Sequence, residues 1–265
     1  KSDKAIYKGL AELVQSEITG LRFQPFSEDM MSINTRSVAQ SGVSSVASLY
    51  MRQVYQWMTA GLALTTVVAY AVATSPAVQA VLFGNTLIMI LLLVAQFGLV
   101  IALSAAVHKM SAGTATSLFL LYSAVTGATL SSIFVVYPIA SIANAFLVTT
   151  GTFLAMSVYG TVTKRDLTSM GSFLFMGLIG LVIAMLVNLF LRSTMMDLII
   201  SCIGVLIFTG LTAYDTQKLR QFGTAAPLED GTAVRRGAIL GALTLYLDFI
   251  NLFLMMLRLF GGNRE

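Results

Sequence analysis

Residues 237–258, GAILGALTLYLDFINLFLMMLR, form an apolar run with a single acid, Asp248, near its middle. A helix of this length crosses a bilayer. An ionised carboxylate at that depth costs about 2.5–3.5 kcal/mol on insertion scales, so a chain that keeps one uses it or neutralises it. At helical spacing, the face that carries the acid is small and polar for a lipid-facing surface, which predicts that it faces protein or water. This face also holds Gly241, Thr244, Leu245, Asn251, Leu252 and Met255.

The composition of the whole chain agrees with a membrane location. Of its 265 residues, 57% are hydrophobic and only 11% are charged, whereas a soluble domain is about a quarter charged. The apolar residues come in runs of about twenty and do not alternate, which predicts membrane-spanning helices and not a β-barrel. We therefore predict an all-α, polytopic membrane protein with seven transmembrane helices. The spans are expected near residues 53–74, 86–107, 114–136, 139–161, 171–191, 196–218 and 236–258.

The amino-terminal part differs in composition from these spans. Residues 1–30 are dense in charge, and we predict that they are an extraneous, tag-like leader. Residues 31–52 are rich in serine and are predicted to be a flexible polar tail. The seven-helix transmembrane domain is then expected over residues 53–262.

Basic residues indicate the orientation of the chain. With the amino terminus in the cytoplasm, the inner loops carry most of the lysine and arginine, which suits the positive-inside rule and contact with the lipid bilayer more than nucleic-acid binding. Arg258 and Arg264 at the outer end conflict mildly with this orientation. A last segment that re-enters the membrane would remove the conflict, although we expect it to cross. The inner basic residues are Lys109, Lys164, Arg165, Lys218, Arg220, Arg235 and Arg236.

A second acid lies in the adjacent span. Asp215, in GLTAYDTQKL, is near the inner end of the sixth span, and Thr212 lies on its face. If Asp215 meets Asp248, the two carboxyl groups cannot both ionise cheaply in a poorly solvated site, so they would share a proton and act as a pH switch. Once ionised, their hard oxygen atoms would attract Ca²⁺ or another cation. Thr244 and Asn251 are expected to hold Asp248 in place.

Simpler interpretations of both acids stay open. Asp215 could lie near the headgroups, paired with Lys218, and only anchor the helix end. Asp248 could be a packed hydrogen-bonding residue beside Thr244 or Asn251. The depth also matters, because Lys218 must extend towards the headgroups if Asp215 is level with Asp248.

Several other activities lack the residues they need. A retinal pump needs a lysine in its last span, and this span has none. An intramembrane serine protease needs a buried histidine, but His108 lies at the end of a span. An aspartyl intramembrane protease also uses two acids on neighbouring helices, but its GLGD sequence is missing here. We expect no catalysis and no bound cofactor, since the single Cys202 and His108 make no metal motif.

GLTAYDTQKL at residues 210–219 and ILGALTLYLDFINLFLMMLRLFG at residues 239–261 resemble the transmembrane Bax-inhibitor-motif family, and in particular its bacterial inner-membrane members. The resemblance extends over most of residues 50–262, including YSAVTGATLSSIF and YGTVTKRDL. It implies a seven-helix bundle around a central last helix and a pH-sensitive Ca²⁺ leak gated by a hydrogen-bonded aspartate pair. Asp215 and Asp248 match that pair.

The resemblance also implies a basic residue near the aspartate pair, at the end of the second span. The matching stretch here is AVHKMSAG, so Lys109 is the expected counter-charge, with His108 beside it. Lysine lacks the bidentate fork of arginine, and histidine could titrate near neutral pH.

A second role is also implied by the family. Some bacterial relatives bind and modulate a membrane-anchored ATP-dependent protease. Such a modulator would act through its exposed tail and cytoplasmic loops, and it would need no pore.

Overall fold

The structure is a computed structural model that describes the backbone of residues 28–225 and 231–261 and the side chains of residues 46–224 and 231–261. Every element in these ranges is a helix. In order they are α1 Glu28–Ala73, α2 Pro76–Gly84, α3 Thr86–Ala106, a 3-10 turn Val107–Lys109, α4 Ala112–Leu130, α5 Ile133–Val136, α6 Ile139–Val162, α7 Thr168–Leu191, α8 Thr194–Ala225 and α9 Gly231–Phe260.

Seven of the described helical segments are long and apolar enough to cross a bilayer, which confirms the all-α, seven-span prediction. The last helix, α9, has 30 residues without a break, and at 1.5 Å per residue it is about 45 Å long. This length favours a full crossing over a re-entrant segment. The spans are Val46–Ala73, Thr86–Lys109, Ala112–Val136, Ile139–Val162, Thr168–Leu191, Thr194–Thr224 and Gly231–Phe260.

The packed part of the chain begins earlier than residue 53. A compact unit runs from Val46 onwards, and Tyr50 and Met51 are buried in its core. The hydroxyl of Tyr50 donates a hydrogen bond to the carbonyl oxygen of Gly237, at 2.9 Å. The backbone of α1 is helical from Glu28, through the segment predicted to be a flexible tail. Residues 1–27, most of the predicted leader, lie outside the described residues.

Helix α9 lies at the centre of the bundle. In its most apolar stretch 67% of the residues are buried, against 6% for the spans Thr86–Lys109 and Thr168–Leu191. It packs against α4, α6 and α8, while α8 also packs against α6 and α7. The spans of α3 and α7 are therefore left largely for lipid, whereas α9 is enclosed by protein.

Tyr246 anchors α9 to the helices around it. Its ring is fully buried and meets the rings of Phe119 and Tyr122 edge-on, with centroids 5.9 and 5.7 Å away. Its hydroxyl lies 2.6 Å from Oγ1 of Thr65, which in turn donates to the carbonyl oxygen of Ser123 at 2.9 Å. The buried hydroxyls are thus satisfied, which the low dielectric of the interior requires.

Polar side chains mark where helices start. Asn85 accepts a hydrogen bond from the backbone N–H of Leu87, and Ser111 accepts one from Thr114. Asp166, in the exposed turn before α7, accepts from both the backbone N–H and the hydroxyl of Thr168. These bonds hold the pKa of Asp166 below its usual value. Asp166 therefore stays ionised at neutral pH. The ionised form, which accepts both hydrogen bonds, is lost only as the pH falls through the lowered pKa.

The carboxyl-terminal end of α9 carries a neutralising contact. Nη1 of Arg258 lies 3.6 Å from Oδ1 of Asp197, near the start of α8, and both side chains are partly exposed. Such pairs add little stability. The contact nevertheless places a negative charge beside Arg258, one of the two arginines that conflict with the predicted orientation of the chain.

Helices α6 and α8 approach each other through Gly160. A Cβ added there would overlap the backbone carbonyl of Ala213, whereas one added at Gly151, on the same helix, would meet nothing within 4 Å. Small residues at such crossings let membrane helices pack closely.

We predict that Gly160→Ala destabilises the protein by about 1–3 kcal/mol, because backbone atoms cannot yield as a flexible side chain can. Gly151→Ala is the matched control and should leave stability unchanged or slightly raised. Thermal unfolding of both variants in the same detergent measures the difference. Equal unfolding temperatures would show that α6 and α8 are not packed in this way.

Candidate functional site

The two acids singled out from the sequence meet between α8 and α9. The carboxyl groups of Asp215 and Asp248 lie within hydrogen-bonding reach of each other. Asp248 is buried, with 6% of its surface exposed, while Asp215 is half-buried. Asp215 therefore separates Asp248 from the solvent-accessible side of the site.

Among the described groups, only the carboxyl group of Asp215 is placed to donate a hydrogen bond to Asp248. Its Oδ2 atom is buried and has no partner there. Two ionised carboxylates offer only acceptors, so a hydrogen bond between them needs a proton on one of them. A buried polar atom without a partner is costly. A single proton held between Asp215 and Asp248 is the simplest arrangement that satisfies this site.

A cavity of about 490 Å³ leads to Asp215. It lies between the carboxyl end of α8 and the amino-terminal half of α9, and it is lined by Asp215 and Thr244. The small residues Ala233, Gly237 and Gly241, which follow one another at four-residue spacing in α9, form part of its wall. At Gly241 an added Cβ would lie 2.8 Å from the side chain of Leu219 and 3.1 Å from that of Val54, so this position allows close packing beside the cavity.

The basic groups at this cavity differ from the expected ones. Lys109 is exposed and is not among the residues found to line it, whereas His108 does line it. Lys218 and Arg236 are the cationic side chains of the lining. Among the described residues, Lys218 is therefore a better candidate than Lys109 for a charge near the pair, since it acts electrostatically on Asp215.

Arg236 ties the turn after α3 to α9. Its Nη1 donates to the carbonyl oxygens of His108 and Met110, at 2.8 and 3.1 Å. In the sequence, Arg236 is one of several basic residues of the predicted inner loops. The signal that could have identified it is its position next to Gly237, beside the row of small residues at 233, 237 and 241.

The residues predicted to support the pair form hydrogen bonds along their own helices instead. The hydroxyls of Thr244 and Thr212 donate to the carbonyl oxygens of Leu240 and Phe208. Nδ2 of Asn251 donates to the carbonyl oxygen of Leu247, at 2.8 Å. Threonine commonly bonds to the carbonyl four residues earlier in a helix. Thr244 remains on the cavity wall, but the position of Asp248 is set by packing and by Asp215.

Gln217 is a further residue near the pair that the sequence analysis missed. Its Oε1 accepts from the backbone N–H of Leu167 at 2.9 Å, and its Nε2 donates to the carbonyl oxygen of Arg165 at 2.8 Å. Both amide atoms of one side chain therefore hold the α6–α7 turn against α8. Because Gln217 is two residues from Asp215, this tie restrains the end of α8 that carries the acid.

The carboxylates form an incomplete ligand set for a resident metal ion. Among the described residues, no group of three or more His, Cys, Asp and Glu side chains comes together. Ca²⁺ takes six to eight oxygen ligands, so water and carbonyl oxygens would have to supply the rest.

Comparison with known proteins places this arrangement in a family. The family model described as "Inhibitor of apoptosis-promoting Bax1" matches residues 47–265. The chain belongs to this family. The match begins one residue after the start of the compact unit at Val46, and it contains both aspartates. The predicted Bax-inhibitor-motif membership is thereby confirmed.

Individual relatives match along most of their length. The chain is 58% identical to "Inner membrane protein YbhL" of Escherichia coli strain K12, over 81% of this chain and 92% of that protein. It is 49% identical to an uncharacterized protein of Borreliella burgdorferi, over 83% and 94%. A third relative, an uncharacterized protein of Deinococcus radiodurans, is 45% identical over 82% and 91%.

The contact between the two acids can be tested by cross-linking. In a Cys202→Ser background, we expect the double variant Asp215→Cys/Asp248→Cys to form an intramolecular disulfide on oxidation, because the two side chains meet. The control Asp197→Cys/Asp248→Cys joins the same two helices, but Asp197 lies at the other end of α8, and it should not cross-link. A mobility shift on gels measures both. No cross-link in the first pair would exclude this contact.

Proposed function

We propose that this protein is a pH-regulated Ca²⁺ leak of the bacterial inner membrane, gated by Asp215 and Asp248. The observation that supports this function best is the buried carboxyl of Asp248, which has Asp215 as its only described polar contact at the end of an open cavity. The proposed orientation puts the amino terminus in the cytoplasm, so that the cavity opens to the cytoplasmic side. No covalent chemistry is part of the proposal.

The switch follows from electrostatics at this contact. With one shared proton the pair is hydrogen-bonded and holds α8 against α9. When that proton leaves, two negative charges face each other in a poorly solvated site, and their repulsion favours separation of the helices. The ionised pair also attracts a divalent cation from the cavity. Flux should therefore rise as the pH rises.

The other charged and titratable groups at the site also contribute to this switch. His108, Lys218 and Arg236 line the cavity together with the hydroxyl-bearing Tyr50. On the other side of the pair the environment is apolar, with Phe208, Leu211 and Leu252 in one buried cluster. The switch therefore faces cations on the cavity side and hydrocarbon on the other side.

The apolar side forms the barrier in the closed state. Met255 packs on Gly204, where an added Cβ would lie 2.7 Å from the methionine sulfur. Met255, Phe208 and Leu252 belong to the same buried cluster beyond the pair. A hydrated ion cannot pass such a cluster without large cost. Movement of α8 away from α9 would open this contact as well as the pair.

Ca²⁺ uptake into proteoliposomes between about pH 5 and pH 9 tests the proposal, since two interacting carboxyl groups release their protons in two separate steps. We expect uptake by the native chain to increase with pH. Asp215→Asn and Asp248→Asn should each lose most of the pH dependence, because an amide can neither hold nor release the shared proton.

Asp166→Asn is the control for these variants. Asp166 is exposed, its lowered pKa keeps it ionised across the range, and an asparagine oxygen can still accept from Thr168. Its pH profile should match that of the native chain. Uptake no greater than in empty liposomes at every pH would refute the leak. A pH profile unchanged in both aspartate variants would refute the gate.

A second candidate function is that of a modulator that binds a membrane-anchored ATP-dependent protease or another membrane protein. It is favoured by helix α1, which begins at Glu28, well before the compact unit that starts at Val46. Deletion of residues 31–45 would remove partner binding and leave flux intact. The deletion stops there because Ala47 and Tyr50 are buried in the core. Partner binding that survives the deletion would speak against this role.

A further inference from the structure

A second cavity lies at the opposite end of the bundle from Asp215. This groove has a volume of about 390 Å³ and runs between α1, α6 and the carboxyl-terminal half of α9. Leu62 and Ala69 of α1, Ala143 and Leu147 of α6, and Phe249 and Phe253 of α9 contribute to its walls. The end of α4 and the short helix α5 close one end. All these walls belong to membrane-spanning segments.

The groove offers almost nothing to a polar ligand. No charged side chain lines it, and its hydroxyl groups are those of Thr65 and Thr66. Thr65 is already bonded to the carbonyl oxygen of Ser123 and to the hydroxyl of Tyr246. Thr66 donates to the carbonyl oxygen of Leu62 at 2.9 Å. A ligand that placed polar atoms here would leave them without partners, at substantial cost.

The groove joins the lipid-facing surface to the central helix. At its rim Ile139 and Leu147 are 64% and 68% exposed, whereas at its floor Phe249 and Phe253 are 3% and 6% exposed. Phe146 meets the rings of both floor residues edge-on, with centroids 5.5 and 6.2 Å away. Aromatic side chains of α6 therefore pack against the floor, and the rim continues into surface that a bilayer would cover with hydrocarbon.

We propose that this groove binds one acyl chain of a bilayer phospholipid. An open groove of this chemistry at bilayer depth excludes water, and hydrocarbon tails are the molecules that surround its rim. The headgroup would stay outside, because the groove has no partner for it. The chain would come from the leaflet on the side of the Tyr137–Pro138 turn, which is the outer leaflet in the proposed orientation.

The bound chain would pack on the helix that carries the gate. Phe249 directly follows Asp248, so the acyl chain would contact α9 on a face different from the one that meets Asp215. It would complete the packing of the central helix in the half of the bundle that lies away from Asp215. This binding does not depend on the leak, and its test does not measure ion flux.

Native mass spectrometry tests the proposal after reconstitution into palmitoyl-oleoyl phosphatidylglycerol and extraction with a mild detergent. We expect the native chain to retain one phospholipid. Ala143→Phe puts a bulky ring into the groove and should lose most of this adduct. Ala155→Phe is the matched control, because Ala155 is also an exposed alanine of α6 but is not among the groove-lining residues, and it should keep the lipid. An adduct of another mass, no adduct, or equal retention in both variants would overturn the proposal.

A fluorescence measurement provides an independent test that does not fill the groove. In a Trp57→Phe background, which removes the one native tryptophan, Leu147→Trp places the probe at the rim. After reconstitution with phospholipid brominated in mid-chain and extraction, we expect the probe to remain quenched by the retained chain. Val158→Trp, exposed on the same helix but away from the groove, should recover its emission. Equal emission from both probes would contradict a bound chain.

Discussion

The structure depends on a central helix that must be apolar on nearly every side and yet carries a carboxyl group. Helix α9 is enclosed by α4, α6 and α8, so Asp248 is shielded from both water and lipid. A charge in that position is expensive, and the described side chains give it no cation and no donor in direct contact. The neighbouring carboxyl of Asp215 is its one described polar contact. The packing of α9 and the contact between these two carboxyl groups are therefore linked.

The close packing around α9 is achieved with small residues. Gly127 faces the backbone of Thr65, Gly160 faces the backbone of Ala213, and Gly204 receives the side chain of Met255. Association in a bilayer gains little from the hydrophobic effect, so close approach and van der Waals contact must supply the stability. Contacts of this kind are sensitive to separation. A small repulsion that separates α8 from α9 can therefore weaken many of the van der Waals contacts between these two helices.

The two ends of the bundle have different chemistry. One end has a cavity whose lining includes the charged side chains of Asp215, Lys218 and Arg236. The other end has a groove of aliphatic and aromatic side chains, and it suits hydrocarbon. Both cavities contact α9, the first before Asp248 and the second just after it. Helix α9 thus borders a cavity that contains Asp215 in one half of the bundle and a lipid-facing groove in the other half.

The sequence by itself determined the number of spans and the family, and it singled out Asp215 and Asp248 as rare intramembrane acids, because span length, hydropathy and an isolated charge are local properties that the order of residues records directly. Only the tertiary structure decided which partners those residues have. It showed Lys218 and Arg236 at the cavity instead of Lys109, and it showed Thr244 and Asn251 bonded to their own helix. It also revealed the hydrogen bonds by which Gln217 holds the α6–α7 turn, and the lipid-facing groove. These features arise where different helices meet, and the rotation and depth of one helix against another depend on packing that no single segment encodes.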